Sequence, residues 1–250
     1  MTPQDVKTEN TPSAGTASLK RTLTISTAIM VGSVFLSRII GLVREQVLAV
    51  YGGTHFEIDA YVTSFFLPEI LNHLLAGGFL SVTFIPIYQS YLVRKDNEGG
   101  SVCFSNLLTV GTVLFALVIP LTVYFTPEIL GLMGSHITDP QHKAITVRLT
   151  RIILPAQLFF YWGAFLSALQ MAHQRFFLPA LAPLIYNLGI ILGGLLLGPF
   201  IGIEGFAWGV LAGALAGNFI LQIPGAAKTG IKFTFRFNLT DPDLIKYIRL

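Results

Sequence analysis

Two arginines stand inside the first long apolar stretch of the chain, STAIMVGSVFLSRIIGLVREQVLAVYGG: Arg38, and Arg44 followed by Glu45. At a rise of about 1.5 Å per residue, a helix puts Arg38 roughly 24 Å beyond Thr22 and Arg44 about 9 Å further. Inserting an Arg at mid-membrane costs about 2.5–3.5 kcal/mol, and each Leu, Ile, Val or Phe returns about 0.3–0.6 kcal/mol. The eleven such residues between Leu23 and Val43 therefore offset only one or two arginines. Such a helix needs polar company: a solvated cavity, or an acid on a neighbouring helix. For Arg44 and Glu45 a second reading stands, in which both snorkel to the outer interface and Arg38 alone is intramembrane. Ser33, Ser37 and Gly41 recur every four residues as a small-residue stripe, with Arg44 on the same side.

Asp59 follows the tight Gly52-Gly53 turn. It reads equally as a first-turn acid favoured by the helix dipole and as a partner for Arg44 or Arg38 across a cavity. Glu69, Asn72 and His73 stand at i, i+3 and i+4, so one helical face carries all three. Beside Pro68 they form a polar, kinked face that membrane depth tolerates only toward a cavity or another helix. Constellations for covalent chemistry are missing. The five histidines fall singly, there is no HExxH, glycine-rich phosphate loop or nucleophile elbow, and Glu69 with His73 is a weak acid-base pair. No cofactor or metal is called for. The single cysteine, Cys103, permits no intramolecular disulfide and fits no metal-ligand pattern; it reads as a core residue.

The elements that must position these groups are membrane helices. The 250 residues are 53% hydrophobic and only 12% charged, with a mean hydropathy of +0.68, whereas soluble domains carry roughly 25% charged residues. Residues 1–18 read as a disordered polar tail. Six spans follow: Leu19 to Tyr51 as an uncleaved helix, then residues 57 to 92, interrupted at Pro68, Gly77-Gly78 and Pro86. The others run from about Phe104 to Phe125, Ala144 to Met171, Leu178 to Phe200, and Gly205 to Pro224. These continuous runs exclude barrel strands, which alternate over roughly 10 residues. The expected architecture is an all-α, six-helix transmembrane lobe over 19–226. Pro179, Pro183 and Asn187 repeat every four residues in the fifth span, and Gly205, Gly209, Gly213 and Gly217 in the sixth, where close packing is the expected use.

Basic residues set the orientation. With the N-terminus in the cytoplasm, eleven of the sixteen bases fall inside, from Lys7 to Arg249, and three outside, Lys143, Arg148 and Arg151. Both termini are then cytoplasmic. The net charge of +3 is scattered, so nucleic acid is not an expected partner. Residues 227–250 read as a cytoplasmic linker, basic with alternating Phe233, Phe235 and Phe237, leading into a new helix at Asp241 that looks like the start of a seventh span.

Taken in order, Ser37-Arg38-Ile39-Ile40-Gly41 with Arg44, Asp59-Ala60, Leu67-Pro68, Phe84-Ile85-Pro86, and Arg175-Phe176 with Pro179-Ala180-Leu181-Ala182-Pro183 and Asn187 resemble the MurJ/MviN lipid II flippases. That family belongs to the multidrug/oligosaccharidyl-lipid/polysaccharide exporter superfamily, and the likeness runs from about residue 20 to the end. The resemblance implies a V-shaped bundle of two six-helix lobes in the bacterial inner membrane, opening a central cationic cavity to either face by turns, with this chain as the first lobe. It implies that Arg38, Arg44 and Asp59 belong to the cavity that accepts a lipid-linked diphosphate saccharide. Arg suits such a cargo because its fork matches diphosphate oxygens. Glu69, Asn72 and His73 join them as candidate substrate-binding residues. The chain departs from the family where Asn72 and His73 replace two consecutive arginines and Gly77 replaces an acid, which makes the cavity less charged.

Three functions compete: a lipid II flippase; a flippase for another lipid-linked oligosaccharide or a cation-coupled exporter of the same superfamily; and a non-transporting membrane scaffold. An exporter would place acids in the lobe core, where this chain has arginines. The other expected partners are membrane lipids and either a missing C-terminal lobe or a second copy, since one lobe supplies one cavity wall.

Overall fold

The computed structural model describes residues 14–73, 79–132 and 139–249, and those residues form helices with no strand among them. Helix α1 is Ala14–Tyr51, α2 is His55–Thr63, α3 is Phe66–Leu71 and α4 is Phe79–Arg94. Then follow α5, Asn97–Leu132, α6, Pro140–Ile153, α7, Ala156–Ala172, and α8, Phe177–Ile201. Helix α9, Glu204–Gly213, runs through a π-helical turn at Ala214–Phe219 and a 3-10 turn at Ile220–Gln222 into α10, Ile223–Ala227; α11 is Pro242–Arg249.

Four stretches among the described residues are long and apolar enough to cross a membrane: Asn97–Tyr124, Pro140–Ala172, Phe177–Ile201 and Glu204–Ala227. They coincide with the third to sixth spans read from the sequence. Helix α1 covers the first span and begins at Ala14, so the last five residues of the 1–18 tail are helical; residues 1–13 lie outside the described residues. The second span is divided. A turn at Ser64-Phe65 separates α2 from α3, Pro68 lies within α3, and Pro86 lies within α4 without ending it. The expected interruption at Gly77-Gly78 lies outside the described residues.

Local chemistry fixes the joints. Gly53 takes φ +95° in the α1–α2 turn, a conformation that favours glycine. Thr54 then caps α2: its hydroxyl accepts the Glu57 amide proton at 3.3 Å, while the Glu57 carboxylate accepts the Thr54 amide proton at 2.8 Å. Asp139 caps α6, with Pro140 in the first turn. α6 and α7 run on as one membrane-length rod, Pro140–Ala172, broken only by a turn at Leu154-Pro155.

Two apolar cores result. One gathers Phe84, Phe104, Phe115, Phe165 and Leu169 where α4, α5 and α7 meet; the other gathers Leu48, Tyr61, Leu149, Ile153, Ile190 and Phe206 from α1, α2, α6, α8 and α9. α1 lies along α8, and α8 along α9. The last contact is backbone on backbone: a Cβ on Gly209 would stand 2.7 Å from the Gly189 carbonyl oxygen, and one on Gly213 2.6 Å from that of Tyr186. The glycine series is therefore a packing surface. Outward faces remain apolar, with Phe35 and Leu42 on α1, Leu117 and Leu121 on α5, and Leu196 and Phe200 on α8 exposed. Lipid is the solvent that fits them.

Candidate functional site

Of the groups singled out in the sequence, Arg38, Arg44 and Asn72 lie against α8. Ser33, Ser37 and Arg38 of α1 look across to the start of α8, into a cavity of about 400 Å³ walled by Met171, Phe176, Pro179 and Pro183. Arg38 is exposed and enters none of the three ion pairs among the described residues. On the other side of the same two prolines, Asn72 lines a second hollow of about 290 Å³ with Ser167 and Asn218. Pro179 and Pro183 are thus a shared wall, with the guanidinium on one side and amides on the other.

One and a half turns beyond Arg38, Arg44 reaches across to α8. Its Nη1 donates to Asn187 Oδ1 at 3.1 Å, and its Nη2 pairs with Glu45. The Asn187 amide in turn donates to the Pro183 carbonyl at 3.0 Å, so the stripe of Pro183 and Asn187 is tied to Arg44. Tyr186 lies within electrostatic range of both Arg44 and Glu69. Arg44 is only partly exposed, at 30% of its side chain, and its contact runs sideways to a helix. Outward snorkelling does not describe it. Glu69 and His73 are exposed; Asn72 is half-buried.

Asp59 departs from both of its readings. It is the fifth residue of α2, and the first-turn acid is Glu57. It faces neither arginine: its Oδ2 lies 3.0 Å from Nε2 of the buried His142 on α6. The contact is one of charge, available when the imidazole is protonated, and not an aligned hydrogen bond. Asp59 belongs with the Arg148–Glu204 pair at 2.7 Å, which joins α6 to α9 at the same end of the bundle. Of the six candidate residues, Arg38, Arg44 and Asn72 therefore lie against α8, Glu69 and His73 are exposed on and just beyond α3, and Asp59 lies outside this group.

The opposite end holds polar groups the sequence reading passed over. Tyr88 Oη lies 3.3 Å from Nε2 of His173, whose pKa is lowered by burial and by the nearby Arg175. Gln170 and Gln222 meet inside the bundle, Nε2 to Oε1 at 2.9 Å, and Gln222 also donates to the Gly217 carbonyl within the π turn at 3.2 Å. After a turn at 228–230, residues 231–238 run extended across α5. Ser105 Oγ accepts the Thr234 amide proton at 3.1 Å, and Asn106 both accepts from the Asn238 amide at 2.8 Å and donates to its carbonyl at 2.9 Å. Lone amides within otherwise apolar runs were the available signal for Asn106, Gln170 and Gln222.

A bundle of membrane-length helices with a partly polar hollow between α1 and α8 has the form of a membrane transporter. Among solved structures, the chain is similar to a MATE transporter, VcmN of Vibrio cholerae in the bent form, at TM-score 0.73 and 17% identity, covering 93% of this chain and 52% of that one; this likeness concerns the fold alone. A structure of the lipid II flippase MurJ in an inward closed conformation aligns at TM-score 0.71 and 25% identity, over 88% of this chain and 46% of that one. A family model described as lipid II flippase MurJ matches residues 48–250, and the chain belongs to that family. A probable lipid II flippase MurJ of Thermotoga maritima is 32% identical over 235 residues, 94% of this chain and 45% of the relative. The lipid II flippase MurJ of Thermosipho africanus is 31% identical over 206 residues, 82% and 41%. The chain spans less than half the length of these curated relatives.

Proposed function

We propose that this chain forms the first lobe of a flippase that carries lipid II, a polyprenyl-diphosphate-linked peptidoglycan precursor, across the bacterial inner membrane. Residues 19–226 are the lobe, with six crossings and the N-terminus in the cytoplasm, and 227–250 link it onward on the cytoplasmic side. Transport proceeds by alternating access, one bundle rocking against another around a shared site, with no covalent chemistry. The observation that carries the reading is Arg38 at a cavity between α1 and the start of α8, without an acid partner among the described residues. A cation left unneutralised there suits the diphosphate of the cargo, to which Arg presents a planar fork. Arg44 is held by Glu45 and Asn187 and shapes the site from below. Glu69, Asn72 and His73 offer hydrogen bonds to the saccharide or peptide parts of the headgroup. Asp59, turned to His142, acts on the packing of α2 against α6 and not on the cargo.

The test is complementation of a strain depleted of its own lipid II flippase, with the substitution carried in a protein of the relatives' full length. Arg38→Ala should insert normally and fail to support growth, and Arg38→Lys should retain part of the activity, since an ammonium keeps the charge and loses the fork. Full complementation by Arg38→Ala overturns the binding role and favours a lobe that acts as a scaffold.

A further inference from the structure

A third cavity, lined from α5, α7 and α10 and without Arg38, takes no part in the proposed transport. Helices α5 and α7, the α10 end of the last rod and the extended residues 231–238 line an open crevice of about 400 Å³, within the range of small-molecule sites. Its walls are almost wholly apolar, with Leu108, Val113, Trp162, Leu166 and Ile223 among them. Along α5 the lining runs from Phe104 to Val113, a depth of about 13 Å at the helical rise. One polar atom breaks the pattern: Thr109, 2% exposed, lines the cavity with its hydroxyl oxygen unpartnered. Thr112 is already used, accepting the Trp162 indole proton at 2.9 Å.

The mouth has a distinct chemistry. Phe233 and Phe235 of the extended segment line it while remaining 56% and 77% exposed, and Phe237, on the same side by the period of two, is 49% exposed. Lys232 and Arg236 alternate with these rings and so stand on the other side of the extended run; both are exposed, as is Lys228 in the turn before it, and none enters an ion pair among the described residues. The backbone between them is pinned to α5 through Ser101, Ser105 and Asn106. Aromatic side chains beside unpaired bases, at the end of membrane-length helices, match the interface between hydrocarbon and anionic headgroups.

We propose that this cavity is a site for one anionic phospholipid: an acyl chain fills the crevice between α5 and α7, Phe233 and Phe235 close over it, and Lys232 and Arg236, from the other side of the strap, reach past its edge to the headgroup phosphate with their long side chains. The 228–238 segment is then an interfacial strap seated on a bound lipid, at a distance from the cargo cavity.

The chain is reconstituted in phosphatidylcholine vesicles containing a minor fraction of phosphatidylglycerol with a photoreactive diazirine on one acyl chain, irradiated, and its labelled peptides mapped. Label should concentrate on Leu108, Thr112 and Leu166, fall several-fold in Val113→Trp, which fills the crevice, and be displaced saturably by unlabelled phosphatidylglycerol. In Lys232→Gln/Arg236→Gln the label should drop to that given by the same diazirine on phosphatidylcholine. Labelling no heavier there than on the exposed Leu192 and Leu196 of α8 would show bulk lipid only and overturn the site. So would label that unlabelled lipid cannot displace, a result that needs no variant to fold. Equal labelling of the unaltered chain by both lipids would overturn the anionic headgroup assignment. Flipping activity does not enter any arm, so failure here is distinct from failure of the transport reading.

Discussion

A charged side chain in a membrane bundle is defined by what it faces, and the two arginines of α1 differ in that respect. Arg44 is satisfied by Glu45 and by Asn187 of α8; Arg38 looks into a hollow. The Arg44–Asn187 hydrogen bond spans two helices, so it should stabilise their packing. Asn187→Leu removes the neutral acceptor and should lower stability by about 1–2 kcal/mol, at the lower end for bonds to charged groups because Arg44 is partly exposed. In Arg44→Met the same substitution should have a smaller effect, which a double-mutant cycle on thermal unfolding in detergent would measure. Equal losses in both backgrounds would mean the bond carries no coupling. The sequence spacing placed Pro183 and Asn187 on one stripe and Arg44 on another, but which stripes face each other depends on how α1 lies on α8. For Asp59 the same gap misled: two readings followed from its place near the first helix, and the structure turns it to His142. Pairings between helices are long-range choices that no local pattern encodes.

Elements were far more legible, because length and apolarity alone determine whether a run can sit in hydrocarbon. The last four spans lie within a few residues of their expected positions. The second span was harder to read, since proline is a weak marker when its neighbours can absorb the lost hydrogen bond: Pro86 sits inside α4, while the turn at Ser64-Phe65 has no proline at all. Glycine spacing was informative for a different reason. A four-residue repeat of missing side chains has one economical use, close approach of two helices, and α8 meets α9 there. Gly193 and Gly198 separate packing from mere composition. A Cβ on Gly193 would stand 2.6 Å from the Gly205 carbonyl oxygen, as well as against the Gly209 backbone, whereas one on Gly198 meets nothing within 4 Å. Gly193→Val should therefore destabilise by about 1–3 kcal/mol through overpacking. Gly198→Ala should be neutral or stabilising by up to about 1 kcal/mol, since alanine favours helix. Unfolding midpoints in a single detergent would compare the two, and equal midpoints would remove the close-approach argument.

At the scale of the molecule, the structure sorts polar groups to two ends. Asp59, His142, Arg148 and Glu204 share one; Tyr88, His173 and the 228–238 segment share the other. With eleven of sixteen bases assigned to the second end, that end should be cytoplasmic. Reporter fusions at Gly53 and Gly202 should then report the outside and those at Asn97 and His173 the inside, and two reversed reporters would overturn the orientation. Between the ends, the hollow beside α8 is bounded by α1, α7 and α8 and has one polar wall, made of Arg38, Ser33 and Ser37. Alternating access needs a second bundle to rock against the first, and the relatives that carry the flippase name are more than twice as long as the region this chain matches. The 250-residue chain by itself should therefore bind its neighbours and not move cargo. An unneutralised Arg38 left toward hydrocarbon would be destabilising by about 2.5–3.5 kcal/mol on the insertion scale, which drives either aggregation or association of two copies through that wall. Purified in mild detergent, the chain should run as a dimer or aggregate, and in liposomes it should show no translocation of a fluorescent lipid-linked diphosphate saccharide. Flipping by a demonstrated monomer would require a complete pathway within these helices and would remove the two-bundle mechanism.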